Sequence, residues 1–197
     1  MSGTNDKAGT PVTFTLDGRS IDAAPGETIW QAAARHGTDI PHLCYKDSAG
    51  YRADGNCRAC MVEIEGERVL AASCIRTPTD GLVVNSDNHR AKTARKMVME
   101  LLVADQPPRD QSHDPDSELW RYAETQHVEG ARFPAKAAPD ADSSHPAIAV
   151  NMDACIQCNL CVRACREVQV NAVIGRAGRG ADAHIVFDFD DEMGAST

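Results

Sequence analysis

Four of the chain's eight cysteines fall inside the short stretch ACIQCNLCVRAC, residues 154–165, separated by two, two and three positions. No other feature limits the fold so tightly. Thiols this close in sequence cannot be dispersed through an apolar core, so the segment must form a tight loop that gathers Cys155, Cys158, Cys161 and Cys165. The opening MSGTNDKAGTP lacks the apolar run of a secretory signal, and no apolar stretch approaches the ~18 residues of a membrane helix. A cytoplasmic location and no membrane insertion are therefore expected. In that compartment cysteines serve as metal ligands or redox groups more readily than as disulfides.

The other four, Cys44, Cys57, Cys60 and Cys74, stand in PHLCY, GNCRAC and AASCI. Their intervals of twelve, two and thirteen residues differ from those of the second group, so the two are not copies of one repeat. A chain of 197 residues forms one or two domains. Aromatic residues make up only 5%, which favours a loop-rich fold over one built around a large apolar pocket. The net charge of −9 argues against binding nucleic acid or anionic membranes and suits partners with basic patches.

Local patterns give an order of elements. In VTFTLDGRSIDA, Val12, Phe14 and Leu16 share one face, Ile21 and Ala23 can pair with it, and Asp17–Gly18 signals a two-residue hairpin. Ile29, Ala32, Ala33 and His36 recur at helical spacing, with Gly37 where a helix ends. MVEIEGERVLA predicts a second hairpin turning near Glu65–Gly66, and GLVV a short strand. Two hairpins around one helix is the order of a β-grasp fold. Helices are predicted over His89–Ala104, with a stripe of Ala91, Ala94, Val98, Leu101 and Leu102, and in SELWRYAETQHV, with Leu119, Tyr122 and Ala123 inward. DQPPRDQSHDPD is a break and RFPAKAAPDADSSHP a linker. ACREVQV reads as a helix leading away from the cysteines, IGRAGRG as a loop, and AHIVFDF as a strand.

The chemistry of the first group follows from its donors. A Cys-x2-Cys pair lets two thiolates grip one iron, and two distant cysteines complete the four that a [2Fe–2S] cluster requires. Gly55 permits a tight loop with N–H groups aimed at sulfur, and Arg52 and Arg58 could offset cluster charge. Tetrahedral zinc also fits four cysteines, although its usual signature has two close pairs. The second group matches the bacterial ferredoxin run Cys-x2-Cys-x2-Cys-x3-Cys of a [4Fe–4S] cluster, with Arg166 where proline usually follows. No residue stands in a nucleophile or acid–base motif, so no catalytic residue is assigned.

The series IPHLCY, GNCRACMVEIEG and AASC closely resembles the N-terminal ferredoxin-like domain of the complex I large subunit family. That family includes diaphorase subunits of NAD-reducing hydrogenases and alpha subunits of NAD-dependent formate dehydrogenases. The resemblance covers about the first 105 residues. It implies that Cys44, Cys57, Cys60 and Cys74 carry a [2Fe–2S] cluster on a β-grasp domain. In the complex I large subunit one histidine and three cysteines follow the connecting helix and hold a [4Fe–4S] cluster. Here LLVADQPPRDQSHDPDSELW has His113 and no cysteine, so no cluster is expected there, and His113, His127 and His145 are expected in solvated loops.

HPAIAVNMDACIQCNLCVRACREVQVNAVIG, with RGADAHIVFDFDDEMGAST, is similar to the alpha subunit of cytosolic NAD-dependent formate dehydrogenase. There a second run of four cysteines follows almost at once, and then a large domain holding molybdenum or tungsten on a pterin. The resemblance implies that Cys155, Cys158 and Cys161 bind one [4Fe–4S] cluster and that Cys165 ligates a second. This chain stops where the second run should begin, so a fragment or truncated product with an incomplete or labile cubane is expected.

The expected fold class is α+β: a β-grasp [2Fe–2S] ferredoxin-like domain, a helical connector, and a partial bacterial-ferredoxin-type 4Fe–4S unit. The expected limits are a flexible tail 1–10, the [2Fe–2S] domain 11–87, a connector 88–130 lacking the histidine-and-three-cysteine ligand set, a linker 131–146, and the incomplete 4Fe–4S domain 147–197. The expected function is an electron-transfer module of formate dehydrogenase, not catalytic alone. Its implied partners are a flavin/NAD-binding subunit and a molybdenum/tungsten pterin domain. The alternatives are a diaphorase-type subunit of an NAD-reducing hydrogenase and a zinc-stabilised binding module.

Overall fold

The computed structural model describes residues 10–48, 50–130, 132–137 and 139–195. All but the last residue of the expected tail lies outside them. Period-two alternation builds the first hairpin. Strand β1 (Val12–Leu16) pairs antiparallel with β2 (Arg19–Ala23), placing Phe14 opposite Ile21 and burying Phe14, Leu16, Ile21 and Ala23. Asp17 and Gly18 both take positive φ, +49° and +78°, as a tight turn of the I′ kind requires.

Helix α1 (Ile29–Arg35) begins on a capping box. The Thr28 hydroxyl accepts from Gln31 N at 3.2 Å, and the Gln31 side chain accepts from Thr28 N at 3.0 Å. His36 is its C-cap rather than its last turn, and Gly37 follows at φ +77°. Strand β3 (Met61–Ile64) pairs antiparallel with β4, which is only Ala71–Ala72, so the second hairpin is shorter than its sequence suggests. Val69 stays 58% exposed, because the return strand pairs only at its far end. Strand β5 (Val83–Asn85) runs parallel to β1 and antiparallel to β3. The sheet order β2-β1-β5-β3-β4 with α1 gives the β-grasp arrangement. The Asp17 carboxylate accepts from Ser86 N at 2.6 Å and Asp87 N at 3.1 Å, tying the first turn to the end of β5.

Helix α2 (His89–Ala104) starts where the Asn88 side chain accepts from Ala91 N at 2.9 Å. Its buried row differs from the predicted stripe. Ala91, Arg95, Met99 and Val103 are buried at strict i+4 spacing, while Leu101 is 48% exposed. The guanidinium of Arg95 donates to Ser86 O at 2.7 Å and Met61 O at 3.1 Å, which lets a charged residue occupy the inward row that apolar counting denied it. Helix α3 (Glu118–Thr125) buries Leu119, Tyr122 and Ala123 as expected, and Trp120 as well.

Past the linker, α4 (Leu160–Arg163) continues into a π-helical turn over Ala164–Val168. The expected helix ACREVQV therefore begins earlier, before Cys161, and ends at Val168. IGRAGRG is not simply a loop: β6 (Ile174–Ala177) pairs antiparallel with β7 (His184–Phe187), and only Gly178 onward turns. Ile174 lies opposite Phe187, and Ile185 and Val186 are buried, which supplies the apolar contact that holds β6 as a strand.

By backbone proximity the chain forms two compact units. One comprises Met1–His42 with Ala53–Arg95, and the other Leu43–Arg52 with Lys96–Thr197.

Candidate metal centres

Of the eight cysteines, Cys44, Cys60, Cys74 and Cys165 are buried, Cys57, Cys155 and Cys158 are half-buried, and Cys161 is exposed. In the first unit, Cys57, Cys60 and Cys74 are held by four neighbouring devices. Gly55, at φ +60°, turns the chain into the pair, and a Cβ there would come within 2.8 Å of Ile75 Cδ1. Arg58, inside the pair, also takes left-handed backbone, φ +60°. This bends Cys57–Cys60 so that Ala59 N donates to Cys57 Sγ at 3.5 Å. Cys60 sits fully buried at the entrance to β3, and its carbonyl accepts from both Ser73 N at 3.1 Å and Ser73 Oγ at 2.8 Å. Cys74 follows that serine. The first turn of α1 donates Trp30 N to Ser73 O at 3.0 Å and Ile29 N to Arg76 O at 2.8 Å, bracketing Cys74 on both sides.

The second unit holds the other five cysteines. Gln157 and Asn159 take left-handed backbone, φ +52° and +63°. The turns they create point amides at sulfur. Gln157 N donates to Cys155 Sγ at 3.4 Å, and the nearby amides of Leu160 and Val162 favour the thiolate forms of Cys158 and Cys161. Burial, above all, pushes the Cys158 and Cys161 thiols up from their ordinary range, and neighbouring thiols add to it. Asn159 caps α4, with Arg163 N donating to Asn159 O at 3.0 Å, and its own side-chain oxygen is buried without a hydrogen-bond partner. Gln157 Nε2 donates to Ala183 O, fixing the loop to the start of β7. Cys165 is buried in the π turn.

Cys44 is also buried in this unit, in the segment Leu43–Arg52. The carbonyls of Cys44 and Arg52 both accept from the guanidinium of Arg163, which is 0% exposed. Arg52, one of the two arginines expected to offset cluster charge, carries an ion pair of its own. Its side chain pairs with Glu167 at 3.3 Å, and that pairing holds the Glu167 carboxyl below the usual range after the nearer effect of Arg166.

These donor sets fit iron–sulfur clusters. Amide N–H groups aimed at cysteine sulfur stabilise the thiolate that a cluster needs. Among the described residues, no three or more His, Cys, Asp or Glu side chains converge on one ion. A [2Fe–2S] cluster asks two thiolates of each iron and a [4Fe–4S] cluster one, whereas tetrahedral zinc on cysteine asks four of a single ion. Of the histidines, His113 and His127 are exposed and His145 is half-buried, its ring accepting from Ala147 N at 3.1 Å. Sequence reasoning missed Arg163 and Ser73. The first was legible only as an arginine between two cysteines of the run, and the second only as the residue preceding Cys74.

Comparison with known proteins agrees with this chemistry. Residues 9–89 match the family model of the 2Fe-2S iron-sulfur cluster binding domain. Residues 145–196 match the ferredoxin-like domain of NADH-quinone oxidoreductase subunit 3. The chain is 35% identical over 181 residues to the mitochondrial NADH-ubiquinone oxidoreductase 78 kDa subunit of Candida albicans, covering 88% of this chain and 25% of that one. It is 33% identical over 192 residues to the NADP-reducing hydrogenase subunit HndD of Solidesulfovibrio fructosivorans, covering 91% and 32%. The chain thus spans a quarter to a third of these relatives' length. A chain in the crystal structure of an NAD+-reducing [NiFe]-hydrogenase in the H2-reduced state superposes with a TM-score of 0.77 at 30% identity, over 92% of this chain and 79% of that one. With cysteine loops built as described and both domains matched, the chain belongs to the iron–sulfur electron-transfer modules of NADH-linked oxidoreductases, and carries one domain of the [2Fe–2S] type and one of the [4Fe–4S] type.

Proposed function

We propose that the chain relays electrons as the N-terminal iron–sulfur region of an NAD-dependent formate dehydrogenase alpha subunit. In this reading Cys44, Cys57, Cys60 and Cys74 hold the [2Fe–2S] cluster. Cys155, Cys158 and Cys161 hold a [4Fe–4S] cluster, and Cys165 is directed to a second one. When bound, these groups accept and release single electrons. The chain's part is to present thiolates, aim amides at them and keep water from the buried sulfurs. The observation that carries the reading is the second cysteine run itself, VNMDACIQCNLCVRACREVQVN, with its amide-to-sulfur turns and arginine after the fourth cysteine. Electrons would arrive from formate oxidation at a molybdenum/tungsten pterin centre and leave to a flavin/NAD-binding partner.

A second reading, a diaphorase-type subunit of a hydrogenase, is favoured by the 79% coverage of a chain in the NAD+-reducing [NiFe]-hydrogenase structure. One experiment separates them. The segment encoding residues 1–197 is deleted from the host, and formate-dependent and hydrogen-dependent NAD reduction are assayed in extracts. Loss of the formate activity alone supports the first reading. Loss of the hydrogen activity alone supports the second.

A further inference from the structure

Arginine is almost never fully buried unless its donors are engaged, because desolvating a cation costs several kcal/mol. Arg163 is 0% exposed, and it stands between Cys161 and Cys165, so its backbone is fixed by the second cysteine run. Its guanidinium fork spans the segment that carries Cys44. One arm donates to Cys44 O and the other to Arg52 O, while the cation lies 5.9 Å from the centre of the Tyr51 ring. Two independent contacts lock the same segment to the same helical turn. Arg52 pairs with Glu167 at 3.3 Å, and Gly50, at φ +86°, runs so close to Val168 that a Cβ would meet its Cγ2 at 3.1 Å. The segment is therefore gripped at Cys44 and again over Gly50–Arg52 by residues 163–168.

We propose that Arg163 is a positioning residue for the [2Fe–2S] centre: from the second cysteine run it fixes the backbone of Cys44 and stations a buried positive charge at that residue's carbonyl. The inference rests on the reading of Cys44 as a [2Fe–2S] ligand. A cation beside a ligand favours the more negative, reduced cluster, and a fixed backbone limits the positions that the Cys44 sulfur can take.

The test uses the full chain, purified anaerobically, as wild type, Arg163→Gln, Arg163→Lys and Cys44→Ser. Iron and acid-labile sulfide are counted, and the [2Fe–2S] EPR signal is titrated against potential. In Arg163→Gln the [2Fe–2S] potential is expected to move to more negative values, with altered g-values. In Arg163→Lys, which keeps the charge but loses the two-carbonyl fork, the g-values are expected to change with a smaller shift in potential. Should Arg163→Gln not fold, the lysine variant decides alone. A [2Fe–2S] potential and spectrum identical to wild type in every Arg163 variant that folds overturns the inference, provided Cys44→Ser alters the signal. If Cys44→Ser leaves the signal untouched, the ligand reading falls and the inference with it.

Discussion

Arg95 offers a test of how the first unit is held together. Its guanidinium, 7% exposed, bridges the ends of two strands by donating to Ser86 O at 2.7 Å and to Met61 O at 3.1 Å, and Met61 directly follows Cys60. Truncation in Arg95→Ala leaves both carbonyls without a charged donor, a gross loss of about 1.5–3 kcal/mol for each. Part of that is returned, because the cation is buried at a cost; burial is the main cause that lowers the Arg95 pKa from its ordinary value. The net loss expected is about 2–4 kcal/mol, or a fall in Tm of roughly 5–15 °C for a chain of this size. Arg95→Met keeps the apolar stem against the helix but loses the same two donors, so it should lose nearly as much. The assay is anaerobic thermal unfolding followed by circular dichroism, on protein matched for iron content. A Tm for Arg95→Ala within about 1 °C of wild type, or a methionine variant that restores the wild-type Tm, would refute the bridging argument.

Other outcomes follow from single sites. Gly55→Ala forces left-handed backbone on alanine and drives a Cβ to 2.8 Å from Ile75 Cδ1, so the [2Fe–2S] EPR signal per chain should fall while iron at the second run is retained. Ser73→Ala removes the hydroxyl that donates to Cys60 O at 2.8 Å but leaves the backbone donor, so Tm should drop by roughly 2–4 °C, about 1 kcal/mol, in a thermal melt. Glu27 is held below its ordinary value of 4.5, chiefly by its hydrogen bond from Arg35. Its contribution is therefore present above pH 4.5 and lost as pH falls through the lower folded value, and the Tm gap between wild type and Glu27→Gln should close over that acid range. Glu167→Gln removes the partner of the exposed Arg52 side chain, so tryptic cleavage after Arg52, followed by mass spectrometry, should quicken by about 1.5–5-fold, the worth of a surface pair.

The parts of the fold written in local periodicity were legible in the sequence. Alternation placed Phe14, Leu16, Ile21 and Ala23 on one face, and the Asp17–Gly18 step marked its turn. Both iron–sulfur domains were legible because close cysteine spacing is itself a local pattern. What escaped was set by partners distant in sequence. Nothing local marks Arg95 or Arg163 as buried; their place depends on the carbonyls of Met61, Ser86, Cys44 and Arg52, elsewhere in the chain. IGRA reads as a glycine-broken loop until Ile185 and Val186 pair beside it. Apolar counting misplaced the inward row of α2 for the same reason, since it passed over Arg95, which donates to a buried carbonyl of Ser86.

The two cysteine loops, unrelated in spacing, use one local device. Each places a side-chain-bearing residue in left-handed backbone beside a cysteine: Arg58 in one, Gln157 and Asn159 in the other. That conformation costs non-glycine residues about 1–2 kcal/mol apiece. What offsets it is an amide donated to sulfur, as from Ala59 to Cys57 and from Gln157 to Cys155. Such a bond is weak to a neutral thiol and roughly twice as strong to an ionised acceptor. Glycine would adopt the same turns without strain, yet the chain uses arginine, glutamine and asparagine. The geometry therefore gains most when the sulfur is a thiolate, the form in which cysteine binds a metal. Ordering of these loops and loading of iron are then one equilibrium, with the strained residues setting how much of the binding energy is spent on folding.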